Sequence, residues 1–125
     1  MTRRCLFLAA AMPLLRAADI GKWWAQFQAA VAKGDARTVA HGGSFPMNWE
    51  NGPTREIKAE ADLLNRFDSY FTPEIRKVVA THKPEELPSG TFIVTWKARG
   101  NEYSLYLKPD KTGGFVLDGL SEGPG

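Results

Sequence analysis

The sequence predicts an α+β domain, with N-terminal helices and a small edge hairpin packed on a curved antiparallel sheet. Three observations carry that expectation. Apolar residues recur at helical spacing from Ile20 to Val31 and again from Leu63 to Phe71. Between these runs, Phe45, Met47 and Trp49 alternate with polar or turn-forming neighbours in "SFPMNWENGPTREI". From Phe92 onward the apolar period falls to two, through "TFIVTWKAR", "EYSLYLK" and "FVLDGL". A period of about 3.6 buries one stripe of a helix, and a period of two buries one face of a strand. Helices followed by a run of strands suit two packed layers around one core.

The first stretch, "MTRRCLFLAAAMPLL", is set apart from that domain. Arg3 and Arg4 precede an apolar run from Leu6 to Leu15, and small residues follow, as in a secretory signal cut near Ala17 or Ala18. The run is shorter than the about 20 apolar residues of a membrane-spanning helix, and Pro13 would interrupt a core helix. The expected organisation is a signal over residues 1–18 and one domain over residues 19–125. The domain is expected in the periplasm or outside the cell, touching a membrane only through the signal during export. "TRRCLFL" also resembles the opening of a twin-arginine signal, which exports folded chains.

Removal of the signal changes the charge. Arg3, Arg4 and Arg16 leave with it, so the 16 basic residues fall to 13 against 14 acidic ones. A basic surface dense enough to neutralise a phosphate backbone is then missing, and no nucleic-acid partner is expected. Cys5, the only cysteine, also leaves, which removes disulfides and thiol nucleophiles from the domain.

Within the domain, Asp19 is the expected N-cap of a helix reaching about Lys33, on which Ile20, Trp23, Trp24, Phe27 and Val31 form one stripe. Trp23 and Trp24 are neighbours, so one is expected in the core and the other at a rim. Gly34 ends this helix and Asp35 caps a second from Ala36 to about His41. Phe45, Met47 and Trp49 then form the inner face of a short strand. Pro46 cannot donate to a ladder, which places that strand at an edge. "ENGPT" turns the chain and "REIK" pairs back.

A further helix is expected from about Ala59 to Phe71, and another from Thr72-Pro73-Glu74, with Thr as N-cap and Pro at the first turn. "HKPEELPSG" reads as a loop. In the sheet, Phe92, Val94, Trp96 and Ala98 share one face. Gly100-Asn101 is the expected hairpin turn, and Tyr103, Leu105 and Leu107 return on the same face. "FVLDGL" is a third strand and "SEGPG" a loose tail.

Chemistry-bearing motifs are few. His41 and His82 lie in different loops without a second ligand at metal spacing, so no metal site is expected. No Ser-His-Asp order and no Gly-rich phosphate loop occurs, and no cofactor is expected. Arg55, Lys97, Arg99 and Lys108 read as a solvated sheet face. Phe45, Met47, Trp49, Trp96 and Tyr103 are the candidate ligand-contacting residues. An aromatic cluster with few polar groups suits a small apolar or amphipathic molecule, and the same cluster also suits a filled core.

Four segments together resemble the nuclear transport factor 2-like superfamily, also called the cystatin-like α+β cone. They are "WWAQFQAAVAKGD", "FPMNWENG", "ADLLNRFDSYFTPEI" and the closing strands from "TFIVTWKARG" to "FVLDGL". The resemblance implies a conical cavity between helices and sheet, and dimers through the outer sheet face. Relatives of this kind include isomerases, dehydratases, cyclases and many binding or assembly modules, so fold alone does not select a function. In the isomerase-like members, a tyrosine on the first helix corresponds to Phe27, the catalytic base falls near Glu50 or Asn51, and a second oxyanion acid falls near Ser104. Only Glu50 keeps suitable chemistry, although such catalysis needs both a base and oxyanion donors. The leading expectation is therefore a non-catalytic exported domain that binds a small apolar or amphipathic ligand or a protein partner. The alternatives are an isomerase, dehydratase or cyclase-like enzyme with Glu50 or Asp68 as base, and an interaction module of a cell-envelope complex.

Overall fold

A computed structural model of the chain describes residues 20–125. The signal expected over residues 1–18 and the Asp19 cap lie outside the described residues. Helix α1 runs over residues 20–33 and buries Ile20, Trp24, Phe27, Ala30 and Val31. Trp24 is core, and Trp23 is half-buried at the rim, stacked on Phe27 with ring centroids 5.0 Å apart. Helix α2 (Ala36–His41) follows, with the Asp35 carboxylate accepting from the Thr38 N–H at 3.2 Å.

Strand β1 (Gly43–Trp49) then leads through a turn to β2 (Glu56–Ile57). The long helix expected from Ala59 to Phe71 is instead two short ones, α3 (Glu60–Asn65) and α4 (Phe67–Tyr70). The break falls at Arg66, whose backbone leaves helical geometry at φ −127 and ψ 34. The apolar stripe survives the break, since Leu63, Phe67, Tyr70 and Phe71 are all buried. Helix α5 (Pro73–Thr81) starts as its sequence predicts, the Thr72 hydroxyl accepting from the Ile75 N–H at 3.4 Å.

The remaining strands are β3 (Glu85–Glu86), β4 (Phe92–Ala98), β5 (Asn101–Pro109) and β6 (Phe115–Pro124). Among the described residues they form one open six-stranded sheet in the order β2-β1-β6-β5-β4-β3. The fold is α+β, with helices packed on a mixed sheet. It is not the all-antiparallel sheet expected, because β1 runs parallel to β6, pairing Asn48 with Gly119 and Trp49 with Leu120.

Three further corrections follow from strand pairing. β1 is not an edge strand. Its Pro46 is tolerated because it falls outside the two-residue pairing with β2 and within the register shift of the β1–β6 ladder between Gly43 and Asn48. The "HKPEELPSG" loop contains β3, where Glu85 and Glu86 extend the β4 edge. The "SEGPG" tail is strand, since Ser121 to Pro124 pair with Asn101 to Ser104.

The β4–β5 turn also shifts by one residue. Ala98 pairs with Asn101, so the turn residues are Arg99 and Gly100, at φ 53 and 78. A two-residue turn of the mirror-image type needs positive φ at both positions. Arg99 accepts that strain because its side chain is held from outside the hairpin, as described below.

The core is a single cluster between the helices and the inner sheet face. Trp49, Ile57, Leu63, Phe71, Val79, Leu105, Leu107 and Leu117 in it are fully excluded from solvent. No helix among the described residues is long and apolar enough to cross a membrane.

Candidate functional site

Four of the five aromatic or apolar residues singled out from the sequence belong to this core. Trp49 is 0% exposed, Tyr103 1%, Met47 3% and Trp96 9%. Phe45 is half-buried and packs against the same cluster. None of the five lines the cleft described below. They divide into two groups that do different things.

Trp96 and Tyr103 stack at 5.4 Å on the β4–β5 hairpin and carry a polar chain across one end of the sheet. The Trp96 indole N–H donates to Glu74 Oε2 at 3.0 Å. Arg99 grips both oxygens of the same carboxylate, at 2.6 and 3.2 Å, and its Nη2 also donates to the Tyr103 hydroxyl at 3.0 Å. Tyr103 passes its proton toward Glu122 Oε2 at 3.1 Å, which Asn101 Nδ2 also reaches at 2.7 Å. The Glu122 N–H donates to Glu50 Oε1 at 2.8 Å. Helix α5, the hairpin turn, β6 and the end of β1 are thereby tied together. Arg99 is exposed, as a surface charge is expected to be, but it sits in the turn rather than on the strand, and its fork on Glu74 ties the positive-φ turn to α5. Lys108 likewise pairs with Asp118 at 3.2 Å.

Glu74 sits in the first turn of α5, and the Arg99 hydrogen bonds, followed by that from Trp96, hold its carboxyl below the usual 4.5. A depressed carboxyl contributes stability that is present above its unfolded value and lost as pH falls through the folded one. The loss from this group therefore begins near pH 4.5 and continues below it. In urea melts between pH 7 and pH 3, Glu74→Gln is expected to flatten part of the acid slope. Equal slopes for the two proteins would show that the Arg99 fork brings no pH-dependent stability.

The second group is built around Trp49. Its indole stands edge-on to Tyr70 at 6.4 Å and tilted on Phe71 at 5.3 Å, and its Nε1–H donates to the Tyr70 carbonyl at 3.2 Å. The turn after β1 closes over these rings. A Cβ on Gly52 would lie 2.8 Å from Trp49 Cδ1 and 2.9 Å from Tyr70 Cδ1, so only glycine lets the chain pass this close. The outer side of this turn is one wall of a cleft of about 480 Å³. Thr54 and Arg55 come from the turn, Lys58 from beyond β2, Asp62 from α3 and Arg66 from the break between α3 and α4, while Tyr70 closes the floor. Thr54 Oγ1 donates to the Glu56 carbonyl at 2.9 Å, so the Tyr70 hydroxyl, 2.8 Å away, is the donor to Thr54. The Arg66 guanidinium lies 5.9 Å from the centre of the Tyr70 ring.

From the sequence Arg55 reads as a solvated charge, and nothing there marks Lys58, Arg66 or Tyr70 as site residues. The nearest signal was the combination of large apolar residues and turn residues in "SFPMNWENGPTREI", which does supply one wall.

The two carboxylates named as alternative bases stand apart. Glu50 is half-buried and accepts from the Glu122 N–H. Asp68 is exposed and ion-paired with Arg76. Phe27, at the position where a donor would be needed, is 6% exposed and packs on Phe71 at 6.2 Å. His41 lies 3.6 Å from Glu60. Among the described residues no three His, Cys, Asp or Glu side chains are grouped as metal ligands would be. Set against family models, curated proteins and solved structures, the chain matches none of them.

Proposed function

We propose that the chain is an exported, non-catalytic domain of the nuclear transport factor 2-like type that holds a small amphipathic molecule in the cleft over Tyr70. The strand order β2-β1-β6-β5-β4-β3, with β1 parallel to β6 and helices on one face, supports that fold type. The observation that carries the ligand reading is the cleft itself. Its volume of about 480 Å³ falls in the range of small-molecule sites, and a charged rim surrounds the buried Tyr70. The enzyme reading is weaker, because neither Glu50 nor Asp68 faces a hydroxyl or acid donor at the position of Phe27.

A second copy of the chain on the outer sheet face is the companion proposal. Ile93 pairs with Tyr106 and Thr95 with Ser104 on that face, which helices do not cover. These four side chains are half-buried, and the charged Lys97 and Glu102 pair beyond them, so the face offers a mixed apolar and polar surface to a partner.

Mass spectrometry of protein recovered from a periplasmic fraction tests these points together. The denatured chain is expected to begin near Ala18 or Asp19; an intact Met1 would overturn export. The native protein is expected to carry extra mass that is lost on denaturation. A bare chain mass under gentle conditions would count against a retained ligand, and a strictly monomeric mass would remove the sheet-face dimer.

A further inference from the structure

We infer that the cleft over Tyr70 selects a small organic anion, a carboxylate or a phosphate monoester. This deepens the proposed function and rests on its choice of site. Three cations line the cleft, Arg55, Lys58 and Arg66, against the carboxylates of Glu56 and Asp62. The lining is therefore net positive in a domain that is expected to be slightly acidic once its signal is gone. The cations are also unspent. Among the described residues the ion pairs are His41–Glu60, Arg76–Asp68, Arg99–Glu74 and Lys108–Asp118, and none of them involves a cation of this cleft. Asp62, the nearer competitor on α3, is turned to the backbone, accepting from the Ala59 N–H at 3.2 Å.

The floor sorts the ligand further. The Tyr70 proton is committed to Thr54 and the residue is only 2% exposed, so the floor offers neither a hydroxyl donor nor an open ring face. Hydrogen bonds to a ligand headgroup must then come from the guanidinium and ammonium groups, which bind oxyanions and repel cations. Arg66 lies against the same ring, where it can stay in place while its outer N–H groups face the headgroup. A neutral amphipath would leave three cations unused, and a cation would meet them directly.

Titration of the purified, 15N-labelled protein at low ionic strength tests this, with phenyl phosphate, benzoate and benzyl alcohol as probes followed by amide shifts. The two anions are expected to give saturable shifts confined to residues 54–58 and 66–70, weakened by added salt. Benzyl alcohol is expected to bind at least about tenfold more weakly, the worth of one charge-assisted hydrogen bond. Arg66→Gln is expected to weaken the anions by about tenfold, and Arg55→Gln/Arg66→Gln by more. Both positions are exposed, so an unchanged urea midpoint keeps the comparison clean. Tighter binding of phenyl phosphate assigns the headgroup to the phosphate class, and tighter benzoate to the carboxylate class. If benzyl alcohol binds as tightly as the anions, or if Arg66→Gln leaves the anions unaffected, the selectivity is wrong while the ligand site stands. If no probe binds at residues 54–70, the anion inference and the choice of this cleft fall together.

Discussion

Trp49→Ala is expected to cost about 3–5 kcal/mol, the usual range for removing a large aromatic side chain from a packed interior. In a domain of this size that lowers the melting temperature by roughly 15–25 °C. Trp49 is wholly buried, touches Tyr70 and Phe71 ring to ring, and gives its indole N–H to the Tyr70 carbonyl. It also stands on β1 opposite Leu120 of β6, where the parallel pairing joins the hairpin to the rest of the sheet. Truncation would remove apolar area, leave a void under the turn and orphan a buried carbonyl. Trp49→Phe separates these effects. It keeps most of the ring contact and loses only the N–H, so about 1–2 kcal/mol is expected from the unpaired carbonyl and the smaller ring. The measurement is a urea melt without added ligand. A loss under about 1 kcal/mol for the alanine variant would mean that the ring is not a packing element, and would return Trp49 to a role as ligand contact.

The elements legible in the sequence were those whose cause is local. Asp35 before α2 and Thr72-Pro73 before α5 cap their own helices through hydrogen bonds three residues long. The alternation of β4 and β5 needs only the pleat, and its buried residues fall where the period of two puts them. What was not legible depends on partners far along the chain. Nothing near Phe45 announces that β1 will lie parallel to β6, some seventy residues later, so Pro46 was read by the only local rule for a proline in a strand. β3 is a different case: its partner on β4 is only six to eight residues away, but it has two glutamates and no apolar pattern to announce a strand. The hairpin turn settled on Arg99-Gly100 because Glu74, on another element, holds Arg99 where an unaided arginine would be strained. The cleft is the extreme case. Arg55, Lys58 and Arg66 come from a turn, a segment after β2 and a helix break, and each reads alone as an ordinary surface charge. The break at Arg66 interrupts an apolar stripe that is regular on either side, so sequence periodicity could not reveal it.

Gly119→Ala is expected to be the other severe substitution, and it tests whether the same parallel seam positions the cleft. Gly119 lies in β6 at φ +140, which an L side chain rarely adopts, and a Cβ there would stand 2.8 Å from the Asn48 carbonyl oxygen. The obstacle is backbone, so no side-chain rotation can relieve it. Either β6 changes its local conformation or β1 moves away, and the expected loss is about 2–4 kcal/mol. Gly123→Ala, four residues further along β6 but with nothing within 4 Å of its Cβ, is the control and is expected within about 0.5 kcal/mol of the parent. Hydrogen exchange locates the damage. The Glu50 N–H bonds to Leu120 and the Leu117 N–H to Gly42 across this seam, at 3.0 and 2.9 Å, and both should lose protection before the β4–β5 ladder does. A β1 that shifts takes Trp49 with it, and with Trp49 the turn carrying Thr54 and Arg55. Gly119→Ala should therefore weaken anion binding at the cleft although it adds and removes no charge, whereas Arg66→Gln weakens binding and leaves exchange across the seam as it was. If Gly119→Ala leaves stability and seam exchange unchanged, Asn48 yields to the new Cβ without cost, and the close approach of β1 to β6 is not what sets the wall of the cleft.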